Sequence, residues 1–132
     1  MVINTALLDS LTKQAKESPR LRINCDLRDS ETEPTQRMLN AMEPGTVVPI
    51  HRHQKSSETV VCIRGRLREY YYDELERVVT DVFELSADGP MCGLTIPAGQ
   101  WHSVEVLESG TVIMEVKTGM FEPLSDADIL SL

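Results

Sequence analysis

Two histidines and a glutamate stand close together at spacings that could hold a metal ion. His51 and His53 are two residues apart, so both imidazoles point to the same face of an extended strand. Residues 54–57 are short and polar, which predicts a hairpin turn that brings Glu58 at the start of the next strand back beside the two rings. Gly65 would close that strand at a tight turn.

A third histidine lies much further along the chain. His102 follows Pro97 and Gly99, a turn that would deliver it to the start of a strand. The chain has only 3 histidines and all of them fall in these two segments, which weighs against scattered surface residues. Three imidazoles and one carboxylate suit Fe, Mn, Ni, Co or Zn as a divalent ion and leave positions open for a ligand. We therefore predict one divalent transition metal, held by the following residues: His51, His53, Glu58 and His102.

Strand alternation extends this site to candidate substrate-binding residues. If Glu58 points inward, Val60, Cys62 and Arg64 point inward as well, unless a bulge breaks the alternation. The pocket would then be largely apolar, as in many small-ligand sites.

Three more candidates come from two other segments. Arg37 and Asn40 immediately precede the first histidine segment, and an arginine there could clamp an anionic group. Glu115 lies in an apolar run and is either outward-facing or a pocket acid. The predicted substrate-binding set is Arg37, Asn40, Arg64 and Glu115.

The elements that must position these residues are one helix and a series of short strands. Apolar spacing predicts a helix over residues 4–17, followed by an irregular connection, with room for one short strand, over 18–35. Eight strands are expected, separated by turn residues: 37–42, 46–51, 57–63, 66–72, 77–84, 93–96, 102–107 and 111–117. Such spacing is typical of an all-β antiparallel sandwich or barrel, with jelly rolls and cupins foremost.

The chain divides into three parts of a single structural domain. Residues 1–35 form the helix and connection packed on the barrel, 36–121 form the barrel, and 122–132 form a tail in which residues 126–130 are expected to make a short helical turn.

The amino-acid composition limits the kinds of partner that this protein is expected to bind. A formal net charge of −8 disfavours nucleic acid, no apolar run is long enough to span a membrane, and no segment resembles a signal peptide. The 3 cysteines contain no CxxC pair, which favours a reducing, cytoplasmic setting. By the same alternation, Val61 and Ile63 point outward and leave an apolar face that a second subunit could cover, so we expect a homodimer. The expected ligand is a small molecule.

The histidine segments resemble the two cupin motifs. Gly45-x5-His51-x-His53-x4-Glu58-x6-Gly65 looks like the complete first motif, and Pro97-x-Gly99-x2-His102 looks like the centre of the second. The second departs from the pattern at Met91, where cupins usually have glycine, and at Val106, where they usually have asparagine. Neither position is a ligand, so the resemblance still implies a metal-binding cupin barrel.

A closer resemblance is to the WbuC-type cupin fold metalloproteins. The matching segments include Ser18-Pro19-Arg20, Gln36-Arg37-x2-Asn40-Ala41 and Glu115-Val116-Lys117-x-Gly119. This resemblance implies a cupin barrel with an N-terminal helix and a link to surface-polysaccharide metabolism, without a defined reaction.

Three functions are consistent with these features. The first is a metal-dependent enzyme acting on a small, anionic metabolite such as a sugar or nucleotide-sugar derivative. Its metal would serve as a Lewis acid in isomerisation or epimerisation, or as Fe(II) in an oxidation. The second is a non-catalytic small-ligand binding or sensor module, and the third is an accessory protein of a biosynthetic complex.

Overall fold

The computed structural model describes all 132 residues and consists of one helix and two five-stranded antiparallel sheets. The elements in chain order are α1 Thr5–Glu17, β1 Arg22–Asp26, β2 Thr35–Met42, β3 Ile50–His51, β4 Glu58–Arg64, β5 Arg66–Tyr72, β6 Val79–Ser86, β7 Gly93–Ile96, β8 Trp101–Val106, β9 Thr111–Thr118, a 3₁₀ turn Asp126–Asp128 and β10 Ile129–Leu130. The first sheet has the order β1-β2-β9-β4-β7 and the second the order β10-β3-β8-β5-β6. This is the all-β architecture with an N-terminal helix that the sequence predicts.

Helix α1 covers the outer face of the first sheet. Asn4 caps its start, because the Asn4 side chain accepts a hydrogen bond of 3.0 Å from the Leu7 backbone amide. Leu11 and Ala15 are buried on the face that meets the sheet. The apolar cluster below the helix is Leu11, Ala15, Leu39, Ala41 and Val112.

Ile63 also packs against this cluster. Part of the apolar face from which a homodimer was inferred is therefore covered by the chain's own helix. The homodimer stays a prediction.

A second core lies between the two sheets and supports the strand that carries Glu58. Glu58, Val60 and Cys62 are buried in alternation along β4, as the two-residue period predicts. A register shift follows between Cys62 and Arg64, so the alternation ends there. Core members from both sheets pack together: Met42, Val60, Cys62, Leu67, Leu85, Ile96, Val106 and Ile113.

The structure adds two strands to the predicted eight. Strand β1 lies within the 18–35 connection, where the sequence leaves room for one short strand, and pairs along its whole length with β2. Strand β10 follows the 3₁₀ turn and pairs with β3, so only the first part of the predicted turn over 126–130 is helical. Strand β3 is shorter than the predicted 46–51, and Pro49, which has no backbone N–H to donate, directly precedes it. No helix has both the length and the apolar character needed to cross a membrane.

Candidate metal centre

The three histidines converge although they come from distant segments. His51 on β3 is paired directly with His102 on β8, and their ring centroids are 4.2 Å apart. The His53 ring lies 5.1 Å from that of His51 and 5.8 Å from that of His102. One ring nitrogen of each histidine lies within 4.8 Å of the others, so the three could hold one metal ion.

Backbone carbonyls fix the orientation of two of these rings. The Nδ1 of His51 lies 2.8 Å from the Pro49 carbonyl oxygen, and the Nδ1 of His102 lies 2.9 Å from that of Gln100. A carbonyl only accepts hydrogen bonds, so each Nδ1 carries the proton and each Nε2 keeps its lone pair for a metal. The His102 Nε2 is buried and has no hydrogen-bond partner in the protein. This donor set fits a divalent transition metal.

Burial keeps the same two rings in the form that binds metal. Burial, and then the neighbouring His102, lowers the pKa of His51 to about 4. Burial also lowers the pKa of His102. Neutral imidazole is the ligand form, so near neutral pH His51 and His102 need not release a proton to bind.

Glu58 adjoins His53 and could complete the donor set. Its Oε2 lies 3.2 Å from the His53 Nε2. Burial alone would raise the pKa of Glu58, but the hydrogen bond with His53 and the positive potential of the nearby groups lower it below its ordinary value. Two ligands at about 2.1 Å from one ion are roughly 3.0–3.4 Å apart, so this separation suits shared ligation. The role of Glu58 as a ligand stays a prediction.

The histidines line a pocket of about 340 Å³, which is large enough for a small metabolite. Three further carboxyl groups line this pocket, those of Glu69 on β5, Glu115 on β9 and Glu122 in the segment after β9. Burial, followed by repulsion from Glu58, raises the pKa of Glu69 well above its ordinary value. The same causes raise the pKa of Glu115 to about 7. The pocket is therefore more polar than alternation along the strands predicts.

Residues 3–85 match the family model described as a domain of unknown function, DUF6016. The chain belongs to the DUF6016 family. The matched region contains His51, His53 and Glu58, whereas His102 lies beyond it. No curated protein matches the chain.

Several solved structures resemble this DUF6016 chain. The capsular polysaccharide assembling protein CapF from Staphylococcus aureus is 20% identical with a TM-score of 0.66, over 80% of this chain and 30% of CapF. KdgF from Halomonas sp. is 13% identical with a TM-score of 0.60, over 77% of this chain and 82% of KdgF. A cupin 2 domain-containing protein from Halorhodospira halophila is 16% identical with a TM-score of 0.57, over 74% and 63% of the two chains. The fold is a cupin jelly roll, and the chain spans only about 30% of the length of CapF.

Two of the predicted substrate-binding residues lie in the pocket of this DUF6016 chain. Asn40 and Glu115 both line it, and the Asn40 amide Nδ2 donates a 2.9 Å hydrogen bond to the Glu115 carboxylate. Of the two alternatives for Glu115, the structure shows the pocket acid.

Arg37 and Arg64 lie elsewhere, and their predicted places are corrected. Arg37 is on the opposite face of β2 from Asn40 and makes a 2.7 Å ion pair with Glu33. Arg64 follows the bulge in β4, so it does not continue the inward face; its guanidinium instead makes a 2.7 Å ion pair with Asp9 on α1.

Sequence reasoning missed several residues that line the pocket. The most important are Arg20, Arg22, Gln36, Glu69 and Lys117. Glu69 shares the alternation of Leu67 and Tyr71 on β5, but nothing local marks that face as inward. What places Glu69 on the pocket side is the pairing of Tyr71 with His102, and this pairing exists only once the sheet has formed.

Proposed function

We propose that this protein is a metal-dependent enzyme acting on a small, hydroxyl-bearing and anionic metabolite, such as a sugar or nucleotide-sugar derivative. His51, His53 and His102 would hold a divalent ion, with Glu58 beside them. An ion bound there supplies Lewis-acid chemistry toward a carbonyl or hydroxyl group, which suits isomerisation or epimerisation.

The observation that carries the proposal is a concentration of unpartnered polar atoms in one pocket. Five buried side-chain nitrogen or oxygen atoms have no hydrogen-bond partner, and all but that of Trp101 belong to residues lining the histidine pocket. Those four atoms are Gln36 Oε1, Asn40 Oδ1, Glu69 Oε2 and His102 Nε2. Buried polar groups without a partner are costly, and a cluster of them in a cavity favours a ligand that satisfies them.

The chemistry of those atoms favours hydroxyl groups. An amide oxygen only accepts hydrogen bonds. The amide nitrogens of Gln36 and Asn40 donate to the Gly119 carbonyl and to Glu115 respectively, so the oxygen is the unpartnered end of each amide. The Glu69 carboxyl group can accept when ionised or donate when protonated. A hydroxyl group both donates and accepts, so a polyhydroxylated ligand suits this mixture.

Glu69 and Glu115 could also move protons. Because burial raises the pKa of Glu69 well above its ordinary value and that of Glu115 to about 7, either carboxyl group could hold a proton near the bound ligand and release it. We assign Glu69 Oε2 as the proton-exchanging atom, because Glu115 already accepts a hydrogen bond from Asn40.

The resemblance to other cupins supports sugars as the class of substrate. We propose that the chain is a WbuC-type cupin, on the segments quoted above, and that it acts in surface-polysaccharide metabolism. The similarity to a capsular polysaccharide assembling protein is consistent with this assignment.

Anaerobic reconstitution tests the proposal. Metal-free protein is loaded separately with Fe(II), Mn(II), Co(II), Ni(II) or Zn(II) and incubated with sugars, sugar phosphates and nucleotide sugars, and products are followed by NMR. We expect metal-dependent conversion of one compound, lost in Glu69→Gln and His102→Ala and kept in Glu105→Gln, an exposed residue of β8. Binding without conversion in every metal form would favour the non-catalytic binding module. Failure to bind any metal would refute the proposal.

A further inference from the structure

We propose that Arg20 and Arg22 form an anion-binding subsite at the β1 edge of the histidine pocket, where they hold a phosphate or carboxylate group of the ligand. This inference rests on the proposed function and gives the ligand two ends. Its hydroxyl-bearing body would lie against Gln36, Asn40 and Glu69, and its anionic group would face the two arginines.

The position of the two arginines follows from the sheet order. Strand β1 is an edge strand of the first sheet, and Arg22 is its first residue. Arg22 pairs with Met42 and the next inward residue, Asn24, pairs with Asn40, so one face of β1 continues the pocket wall formed by β2. Arg20, Arg22 and Asn24 all line the same pocket as the histidines.

The two guanidinium groups have no acidic partner, although the chain is rich in acids. The sequence has 21 acidic and 13 basic residues. Six arginines make ion pairs with carboxylates: Arg28, Arg37, Arg52, Arg64, Arg66 and Arg68. Neither Arg20 nor Arg22 makes an ion pair with a carboxylate. Two guanidinium groups that line one pocket without a counter-charge are suited to bind an anion.

Arg22 is held in place while most of its hydrogen-bonding capacity stays free. Its Nη1 donates to the Thr46 hydroxyl at 3.2 Å and to the Val47 carbonyl at 2.7 Å, both uncharged acceptors. Its Nε and Nη2 make no hydrogen bond within the protein, so they could grip an oxyanion with two parallel bonds. Burial, and then repulsion from Arg20, lowers the pKa of Arg22, so the two guanidinium groups are close enough to repel each other.

Of the four acidic residues that line the pocket, Glu58 adjoins His53, and two others, Glu69 and Glu115, oppose an anion less than ordinary carboxylates do. Burial raises the pKa values of Glu69 and Glu115, so both carry less negative charge near neutral pH than exposed glutamates. Lys117 also lines the pocket and contributes a positive charge.

Titration with inorganic phosphate and with D-glucuronate, each followed by NMR of the arginine Nε–H signals, tests the subsite. Metal-free protein is used, so that neither anion can coordinate a metal ion. We expect saturable shifts of the Arg20 and Arg22 signals with at least one of the two anions, and no such shifts with chloride at equal ionic strength. A phosphate response indicates a phosphorylated ligand, and a glucuronate response indicates a sugar acid.

Variants separate this subsite from simple charge effects. Arg20→Ala leaves the Arg22–Thr46 link intact and should weaken binding about fivefold or more, while Arg22→Lys keeps the charge but loses the two-pronged grip and should weaken it similarly. Arg77→Ala is the matched control, because Arg77 also lacks an acidic partner but bonds the Ser131 carbonyl and does not line the pocket. Equal binding by all four proteins, or no saturable shift with either anion, would overturn the subsite.

The metal content of each protein, measured in parallel, keeps the two proposals distinct. If anion binding depends on the two arginines but the protein takes up no metal, the subsite is supported and the proposed metal-dependent enzyme is refuted. If metal uptake is normal but anion binding is unchanged by the arginine substitutions, the subsite is refuted and the metal-dependent function remains supported.

Discussion

His51 and His102 face each other across the antiparallel pair of β3 and β8, and each ring is held by a carbonyl of its own strand segment. In both cases Nδ1 bonds the backbone oxygen of the residue two positions earlier, Pro49 or Gln100, at 2.8 and 2.9 Å. The ring orientations are thus set by the backbone that directly precedes the two paired strands, independently of a metal ion. The site is preorganised, so metal binding need not await folding of a loop.

Replacement of His102 should remove the metal while leaving the fold. His102→Ala deletes a buried ring from the donor set, so we expect metal occupancy to fall strongly and the free energy of unfolding of the metal-free protein to fall by about 1–2 kcal/mol. Elemental analysis and urea denaturation measure the two effects. Glu105→Gln on the same strand should change neither. Full occupancy in His102→Ala would contradict the metal centre described here.

Glu58 should contribute less to metal affinity than any histidine. Its carboxylate lies beside His53 but outside the close cluster of three ring nitrogens, so Glu58→Gln should weaken binding by roughly tenfold while the three imidazoles still hold the ion. Competition with a chelating dye measures the affinity. A loss as large as that of His102→Ala would show that Glu58 is an equal ligand.

Protonation of His51 should reduce the stability of the metal-free protein as pH falls from about 6.5 to about 4, a contribution opposite in sign to that of Glu69. In the unfolded chain His51 takes up a proton near 6.5, whereas burial lowers its folded pKa to about 4. Between these values the unfolded state binds more protons, so acidification favours unfolding. The His51 imidazole signals in a two-dimensional NMR titration should stay those of the neutral ring down to about pH 4. A midpoint near 6.5 in the folded protein would refute the argument.

Local patterns predict most of the fold because the helix and the strands are encoded by neighbouring residues. Leu11 and Ala15 mark the buried helix face, and the alternation of Glu58, Val60 and Cys62 marks the inner face of β4. Strand β1 also alternates, with Ile23 and Cys25 packed toward the helix, but it has only five residues within a mostly polar connection, and its pairing with β2 defines it. Strand β10 has only two residues, too few for any periodicity.

The site was predictable as far as it depends on spacing within one segment. His51, His53 and His102 were found from local motifs, whereas Glu69 depends on which strand lies beside β8. Arg37 precedes the histidine segment, which suggests a place at the pocket, but it lies one residue out of phase with the inward face of Asn40. Arg22 reaches the pocket only through the pairing of β1 with β2, which no local signal reveals.

Replacement of Glu69 should stabilise the metal-free protein at alkaline pH. Burial raises the folded-state pKa of this carboxyl group, so Glu69 by itself makes the fold less stable as pH rises above about 4.5, where the unfolded chain ionises freely. Glu69→Gln removes the ionisation and keeps the shape. Its free energy of unfolding should therefore exceed that of wild type at pH 8, and the gap should narrow toward pH 4. The exposed Glu31→Gln is the control. If Glu69→Gln were less stable than wild type at pH 8, the ionised Glu69 carboxylate would have to be stabilised within the fold, which would contradict the argument.

Gly65 and Gly99 offer a matched pair that separates backbone strain from crowding. Both have a positive φ, +84° and +82°, so alanine at either position is strained to a similar degree. A Cβ at Gly99 meets nothing within 4 Å, whereas a Cβ at Gly65 would lie 2.7 Å from the Cα of Thr111, which is fully buried. Backbone at that position cannot move aside without disturbing β9, the strand that carries Glu115.

We therefore expect Gly99→Ala to lower the free energy of unfolding by about 1 kcal/mol and Gly65→Ala to lower it by roughly 3 kcal/mol or more. Urea denaturation of the metal-free proteins measures both, so that any difference in metal affinity does not enter. Because the two glycines share the same φ, the excess loss at Gly65 reports the contact with Thr111. Equal losses at the two positions would mean that β9 yields to the added methyl group, and that the close approach of the Gly65 turn to β9 does not fix that strand in place.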